Sequence, residues 1–284
     1  MRNATLLVVV GRAAKPADLE PLSEIARDKS LHLSVLVLGA MPPIPVYTYG
    51  IGEFGSYAFP EGWQDEVDRA NAVFQETRDR IAQYLTVQGA SADVNVLSGE
   101  AATLPDAVAR RALTCDLVVF GDDLRAEEYL FNELVRATLF QAPAGVMLNA
   151  LNARKAFQPE TVFVAWKAGL PAARAIREAL PLLRAAKSVV VAVIDPVATR
   201  LRDGENPGTD VAEWLSHQGC KVTVEQYPSG GDEIGTVMRK RAAESGADLL
   251  VMGAYDHSRW REVVFGGTTQ TMVNQRETAV LLCH

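Results

Sequence analysis

The chain has 284 residues, 48% of them hydrophobic and 22% charged, with a formal net charge of −7. That length and balance suit one large or two ordinary globular domains and exclude a disordered or fibrous chain. No apolar run reaches the roughly 18–20 residues of a membrane-spanning helix, and neither half has the basic face that nucleic acid requires.

In chain order, MRNATLLVVV carries one Arg, a β-branched run and no small-residue cleavage site. It reads as a buried strand over 5–10 rather than a signal peptide. A helix and a second strand, HLSVLVLG (32–39), follow. Next comes MPPIPVYTYGIGEFGSYAFP (41–60), in which Gly50, Gly52 and Gly55 match GxGxxG. The dinucleotide fingerprint needs a strand just before it and a helix opening on its last glycine. Prolines on both sides argue instead for a long loop over the sheet edge or the other half, with a pocket lid as the weaker reading. CDLVVFGDD (115–123) and AGVMLNA (144–150) are the last two strands of this half, and the polar LNARKAFQPE (151–160) reads as a linker.

The same order then recurs. TVFVAW (161–166), SVVVAVID (188–195), KVTVEQYP (221–228), ADLLVMGAYD (247–256) and TAVLLCH (278–284) are the strands. In LPAARAIREALPLLRAA (170–186), Ala173, Ile176, Ala179, Leu180 and Leu183 form one apolar stripe, and Pro181 predicts a kink or break. Continuous Val/Leu/Ile runs predict strands buried on both faces, and their alternation with helices predicts right-handed crossovers. The fold class is therefore α/β: two similar Rossmann-like domains, 1–150 and 151–284, each a five-stranded parallel sheet flanked by helices. Ligands on such sheets bind beyond the carboxyl ends of the strands.

Several motifs lack the context their chemistry needs. Ser229-Gly230-Gly231-Asp232 matches an SGGxD phosphate loop, but that loop belongs after a first strand, and this one follows the third of its half. It is read as a turn into a helix over 232–246 with Asp232 near the N-cap. His257, Ser258 and Arg259 follow Asp256, yet no GxSxG elbow supplies a nucleophile. No His or carboxylate pair has metal-ligand spacing on one helix face. Cys115, Cys220 and Cys283 are odd in number and far apart, which favours a reducing cytoplasm over a disulfide framework or zinc site.

GAYDHSRWREVVFGGTT (253–269) keeps two readings open. Gly253 lets backbone approach an anion, Gly266 and Gly267 present N–H groups at a helix N-terminus, and the threonines donate to a phosphate or cap the helix. A tight helix entry with capping threonines explains the same residues equally well.

On these residues, and on the repeat, the chain resembles the universal stress protein family. The resemblance is strong over 158–284, where VFVAWKAGLPAARAIREALPLLRAAKSVVVAVIDP resembles the family's first strand, helix and second strand; through 1–150 it rests on strand order and CDLVVFGDD. It implies a Gly-x2-Gly-x9-Gly-(Ser/Thr) phosphate loop after the fourth strand. That pattern falls on Gly253, Asp256, Gly266 and Gly267, with Thr268 supplying a hydroxyl one position late. The adenine-contacting backbone falls on Val193, and the acidic residue after the first strand falls on Lys167. Asp256 thus puts a carboxylate where phosphate oxygens should pass, a cost of roughly 1–4 kcal/mol per charge pair near 4 Å. Lys167 removes a carboxylate expected near the base or ribose.

The first half departs further. Residues 1–150 carry 12 Lys/Arg against 20 Asp/Glu, whereas 151–284 carry 16 against 15. No glycine lies between Gly121 and Gly145, and Asp122, Asp123, Glu127, Glu128 and Glu133 crowd the segment. The resemblance accordingly implies a degenerate universal-stress-type domain over 1–150 and a second domain, 151–284, with a partial phosphate loop. The resemblance implies a cytoplasmic stress-response protein that binds rather than turns over. It also implies weak adenine-nucleotide (ATP) affinity in the second half, and two halves packed as an intramolecular pseudo-dimer along AGVMLNA and TAVLLCH. Homo-oligomerisation and the protein partner stay open. The alternatives are a non-nucleotide interaction module using loops 41–60 and 197–210, and a slow ATPase, for which no general base stands out.

Overall fold

A computed structural model describes residues 3–43, 62–199, 206–254 and 267–284. In the first half, β1 (Thr5–Val10), α1 (Glu20–Lys29), β2 (His32–Ala40), α2 (Trp63–Val87), β3 (Ser91–Gly99), α3 (Leu104–Ala112), β4 (Leu117–Phe120), α4 (Glu128–Gln141) and β5 (Gly145–Leu148) alternate. A short helix, α5 (Arg154–Phe157), leads into the second half. There β6 (Thr161–Ala165), α6 (Leu170–Ala185), β7 (Ser188–Ile194), α7 (Thr209–His217), β8 (Val222–Tyr227), α8 (Ile234–Glu244), β9 (Leu249–Gly253), α9 (Gly267–Asn274) and β10 (Ala279–Cys283) repeat the pattern.

Among the described residues the strands form one sheet in the order β3-β2-β1-β4-β5-β10-β9-β6-β7-β8. All pairings are parallel except β5 with β10, which run antiparallel with Met147 facing Leu281. Each half thus has five parallel strands, and joining the two final strands removes what would be apolar edges. The central strands are buried throughout: Leu6–Val10, Val118–Phe120, Val162–Val164 and Val280–Leu282 are all essentially inaccessible. One core lies on each face. The first packs residues of α1, α2, α5, α6 and α7 on the sheet; the second packs residues of α3, α4, α8 and α9.

The Asp that opens each repeated motif has a structural reason. Asp116 Oδ2 accepts the Thr5 N–H at 2.7 Å, and Asp248 Oδ2 accepts those of Glu160 and Thr161 at 2.8 and 3.2 Å. Each carboxylate staples the start of the first strand of its half to the start of the fourth. A second tie crosses between halves. The Arg125 guanidinium, nearly buried in the 3-10 turn Asp122–Ala126, lies 4.4 Å over the Phe131 ring. It donates to the Val273 carbonyl at 2.5 Å and to Asn149 Oδ1 at 2.8 Å. Asn149 donates in turn to the carbonyls of Gln275 and Thr278. Arg125 therefore places its charge at the negative end of the α9 dipole.

Four expectations need correction. The edge strands β3 and β8 are not buried on both faces; β8 is mostly exposed because it has a neighbour on one side only. The 151–160 segment is more than a polar linker, since Leu151, Ala156 and Phe157 are buried and Arg154 pairs with Glu24 and Asp28 of α1. α6 continues through Pro181 without a break, its apolar face held by Ala175, Ile176, Ala179, Leu182 and Leu183 in the core. The N-cap of α8 is Glu233, one residue beyond Asp232.

Candidate functional site

The register of the two halves matches residue for residue. Thr5 pairs with His32 as Thr161 pairs with Ser188, and Leu6 with Leu117 as Val162 with Leu249. Lys167 is then the counterpart of Gly11, Val193 of Val37, and Gly253 of Gly121. In strand order, β1/β4 and β6/β9 are the places where the chain reverses direction across each sheet. In open α/β sheets, crevices open at such points, at the carboxyl edge.

In the second half, Lys167, Val193 and Gly253 stand at the carboxyl ends of the adjacent strands β6, β7 and β9. The β6–β7 ladder ends where the Trp166 N–H donates to the Ala192 carbonyl at 2.8 Å, just before Val193. Lys167 is exposed, and Val193 is buried. Because β10 runs parallel to β9, α9 must descend from the carboxyl edge, which puts Gly267 and Thr268 at that same edge. Asp256 and Gly266 lie outside the described residues, as do 44–61 with its GxGxxG stretch, the His257-Ser258-Arg259 group and residues 200–205 of the 197–210 loop.

Gly253 has a packing reason independent of any ligand. A Cβ built on it would lie 2.4 Å from the Ala172 N and 2.6 Å from the Pro171 carbonyl carbon, so the first turn of α6 rests directly on it. The N-cap of that turn is Gly169, which has no side chain to cap it. The positive end of the helix dipole and the Lys167 charge favour an anion at the β6/β9 ends. A carboxylate opposes them. Glu233 Oε1 lies 3.9 Å from where a Gly267 Cβ would be, and Glu233 Oε2 accepts the Thr271 hydroxyl at 3.3 Å. Glu233 also caps α8 by accepting the N–H groups of Gly235 and Thr236 at 2.9 and 2.8 Å. Burial raises its pKa, but these N–H groups and the Thr236 and Thr271 hydroxyls outweigh burial and hold it below the usual value.

The Ser229-Gly230-Gly231 stretch is a turn, with both glycines at positive φ. Its Ser229 N–H donates to Asp195 Oδ1 at 2.8 Å, tying the end of β7 to the loop after β8. Hydrogen bonds from the Ser229 hydroxyl and N–H hold the Asp195 carboxyl below its ordinary range.

In the first half, the crevice between β1 and β4 is filled by the chain itself. A Cβ on Gly11 would lie 2.7 Å from Asp123 Oδ2, and one on Gly121 would lie 2.8 Å from Asp123 Oδ1. The carboxylate sits between two strand ends that both lack a side chain. A cavity of about 180 Å³ adjoins it, lined among others by Arg12, Phe74 and Glu127. The Phe74 ring, from α2, packs against Gly39 at the end of β2. Sequence reasoning grouped Asp123 with four other acids and passed over Gly11 and Glu233. The signal available was a glycine directly after each of the first and fourth strands, with an Asp two residues past the second of them.

Among the described residues, no cluster of three or more His, Cys, Asp or Glu side chains is arranged to hold a metal, and no helix is long and apolar enough to cross a membrane. No protein-family model and no curated protein matches the chain. Solved structures do. A universal stress protein from Archaeoglobus fulgidus DSM 4304 aligns over 98% of this chain and 97% of its own, with a TM-score of 0.68 at 12% identity. A candidate universal stress protein from Pseudomonas aeruginosa UCBPP-PA14 aligns over 99% and 92%, with a TM-score of 0.59 at 16% identity. A functionally unknown protein from Pseudomonas aeruginosa PAO1 aligns over 99% and 92%, with a TM-score of 0.56 at 16% identity. The chain has the universal stress protein fold. The full-length coverage means that both halves, in this arrangement, are shared with those structures.

Proposed function

We propose that the chain is a tandem universal stress protein that serves the stress response by binding rather than catalysis. Its ligand site lies in the second half and takes an adenine nucleotide, ATP first, with weak affinity. The observation that carries the reading is that Lys167 and the positive end of the α6 dipole lie at the β6/β9 ends, with the α9 N-terminus at the same edge. In this reading the base lies by Val193 and the phosphates run toward Gly267 and Thr268. Asp256 and Glu233 supply the negative charge that keeps affinity low. The three free thiols, Cys115, Cys220 and Cys283, favour the cytoplasm as the compartment.

The test is direct. Purified protein is denatured and searched for ATP or AMP by mass spectrometry, and Mg-ATP at millimolar concentration is titrated calorimetrically. A bound nucleotide or a millimolar-range isotherm is expected. Asp256→Gly should then tighten ATP about tenfold or more by removing a like charge from the phosphate path. An empty protein with no heat of binding would leave the fold intact and favour an interaction module instead. The Glu233 carboxylate beside Gly267 is the observation that favours that second reading.

A further inference from the structure

The crevice between β1 and β4 has the features of an anion site with an occupant already in it. Its walls are the ends of two strands, each finished by a glycine, and a Cβ at either would strike the Asp123 carboxylate. The carboxylate lies along one cavity wall with Gly11 and Ala13 of the loop after β1, whose N–H groups pull its pKa down, while its Oδ2 makes no hydrogen bond. The seat is defined by the two strand-end glycines, and a carboxylate is chemically a short anion on a tether. We propose that Asp123 is an internal plug: its carboxylate takes the place of an external phosphate-type anion, so this half is closed by self-occupancy rather than by absence of a site.

Three observations support a plug over simple crowding by acids. Only Asp123, of the five acids between Gly121 and Gly145, touches both strand-end glycines. Its Oδ2 is buried without a well-formed hydrogen bond, so the seat fits a carboxylate imperfectly, as a site shaped for another group would. The adjoining cavity, with Arg12 in its wall, gives an external anion room to extend once the plug is gone. Among the described residues, the charged groups facing this seat are Arg12 and Glu127 in the cavity wall and Asp18 from the turn Pro16–Leu19. Burial raises the Asp123 pKa and outweighs the lowering by the Gly11 and Ala13 N–H groups, a cost that an unfilled seat would not carry.

The proposal concerns the first half and stands apart from nucleotide binding in the second. Inorganic phosphate is titrated calorimetrically into wild type, Asp123→Ala, Asp123→Ser and, as a control, Glu128→Ala, which removes an exposed acid of the same segment. Because each variant is read against wild type, any phosphate taken by the second half cancels. Both Asp123 variants should bind phosphate about tenfold or more tighter than wild type, with Glu128→Ala unchanged. Folded Asp123 variants with no gain would overturn the plug, and an equal gain in Glu128→Ala would reduce it to general repulsion. A wild-type measurement covers loss of folding in both variants. In amide NMR spectra against pH, Gly11 and Ala13 should titrate together with a midpoint above the ordinary Asp value. Flat amides would show that the carboxylate is not seated there and would overturn the proposal equally.

Discussion

Gly121 and Gly253 occupy the same position in the two halves, each finishing the fourth strand at the carboxyl edge, yet they are glycines for different reasons. Gly121 makes room for the Asp123 carboxylate, whereas Gly253 makes room for the backbone of α6 at Pro171 and Ala172. The difference follows from loop length. α6 begins at Leu170, soon after β6 ends at Ala165, and its first turn lands on the neighbouring strand end. α1 begins only at Glu20, ten residues after β1 ends at Val10, and the intervening loop wraps a side chain instead. A repeat can therefore preserve a residue and its place in the fold while changing what that residue accommodates.

The sharpest way to break the comparison is to add a Cβ at each place. Gly253→Ala should destabilise by about 3 kcal/mol, because the atoms it meets are helix backbone and the whole of α6 must shift. Gly121→Ala should cost about 1 kcal/mol, since its nearest contact is the end of one side chain. Urea-unfolding midpoints measure both. Adding Asp123→Ala should recover part of the Gly121→Ala loss and none of the Gly253→Ala loss; equal costs would erase the distinction.

A smaller difference is expected at the paired Asp staples. Asp248 accepts two backbone N–H groups and lies 3.2 Å from Lys155 Nζ, whereas Asp116 accepts one. Asp248→Ala should therefore cost about 2 kcal/mol and Asp116→Ala about 1 kcal/mol. Burial raises the Asp248 pKa but is outweighed by the Glu160 and Thr161 N–H groups and by Lys155, so its folded-state value lies below the unfolded one. The stabilisation is then complete above about pH 4 and is lost as pH falls through the lower, folded value. The gap between wild type and Asp248→Ala should accordingly close in acid, as thermal unfolding at several pH values would show.

An effect on stability as small as those at Gly121 and Asp116 is expected at Glu233. Its alanine variant should cost about 1 kcal/mol through loss of the α8 N-cap, read from thermal unfolding. The same variant should tighten ATP in the second half, because it removes a carboxylate beside Gly267. Weaker ATP binding by a folded Glu233→Ala would count against a phosphate path there.

Much of the fold was legible because its signals are local. Runs such as TLLVVV and SVVVAVID declare buried strands without reference to neighbours, and the repeated Asp–apolar–Gly signature marks the fourth strand of each half. The edge strands were less legible, because the exposure of β3 and β8 depends on having no neighbour on one side, a property of strand order rather than of composition. Phe157 was hidden for a related reason: a lone aromatic in a polar segment shows no periodicity, although it is fully buried. At the candidate site, Lys167, Val193 and Gly253, which the family resemblance singled out, reach adjacent strand ends because β9, β6 and β7 are neighbours in the sheet.

The sequence by itself determined the α/β class, the twofold repeat and the concentration of acid in residues 1–150, because composition and periodicity are properties of neighbours along the chain. The packing of the halves along AGVMLNA and TAVLLCH was already implied by the family resemblance; only the tertiary structure decided that β5 and β10 pair antiparallel into one sheet, and that Gly253 rests on α6. It also decided which of five acids matters. Gly11 and Gly121 are far apart in the chain but adjacent across β1 and β4, and the space between them exists only once those strands pair. Asp123 is the acid that fills it.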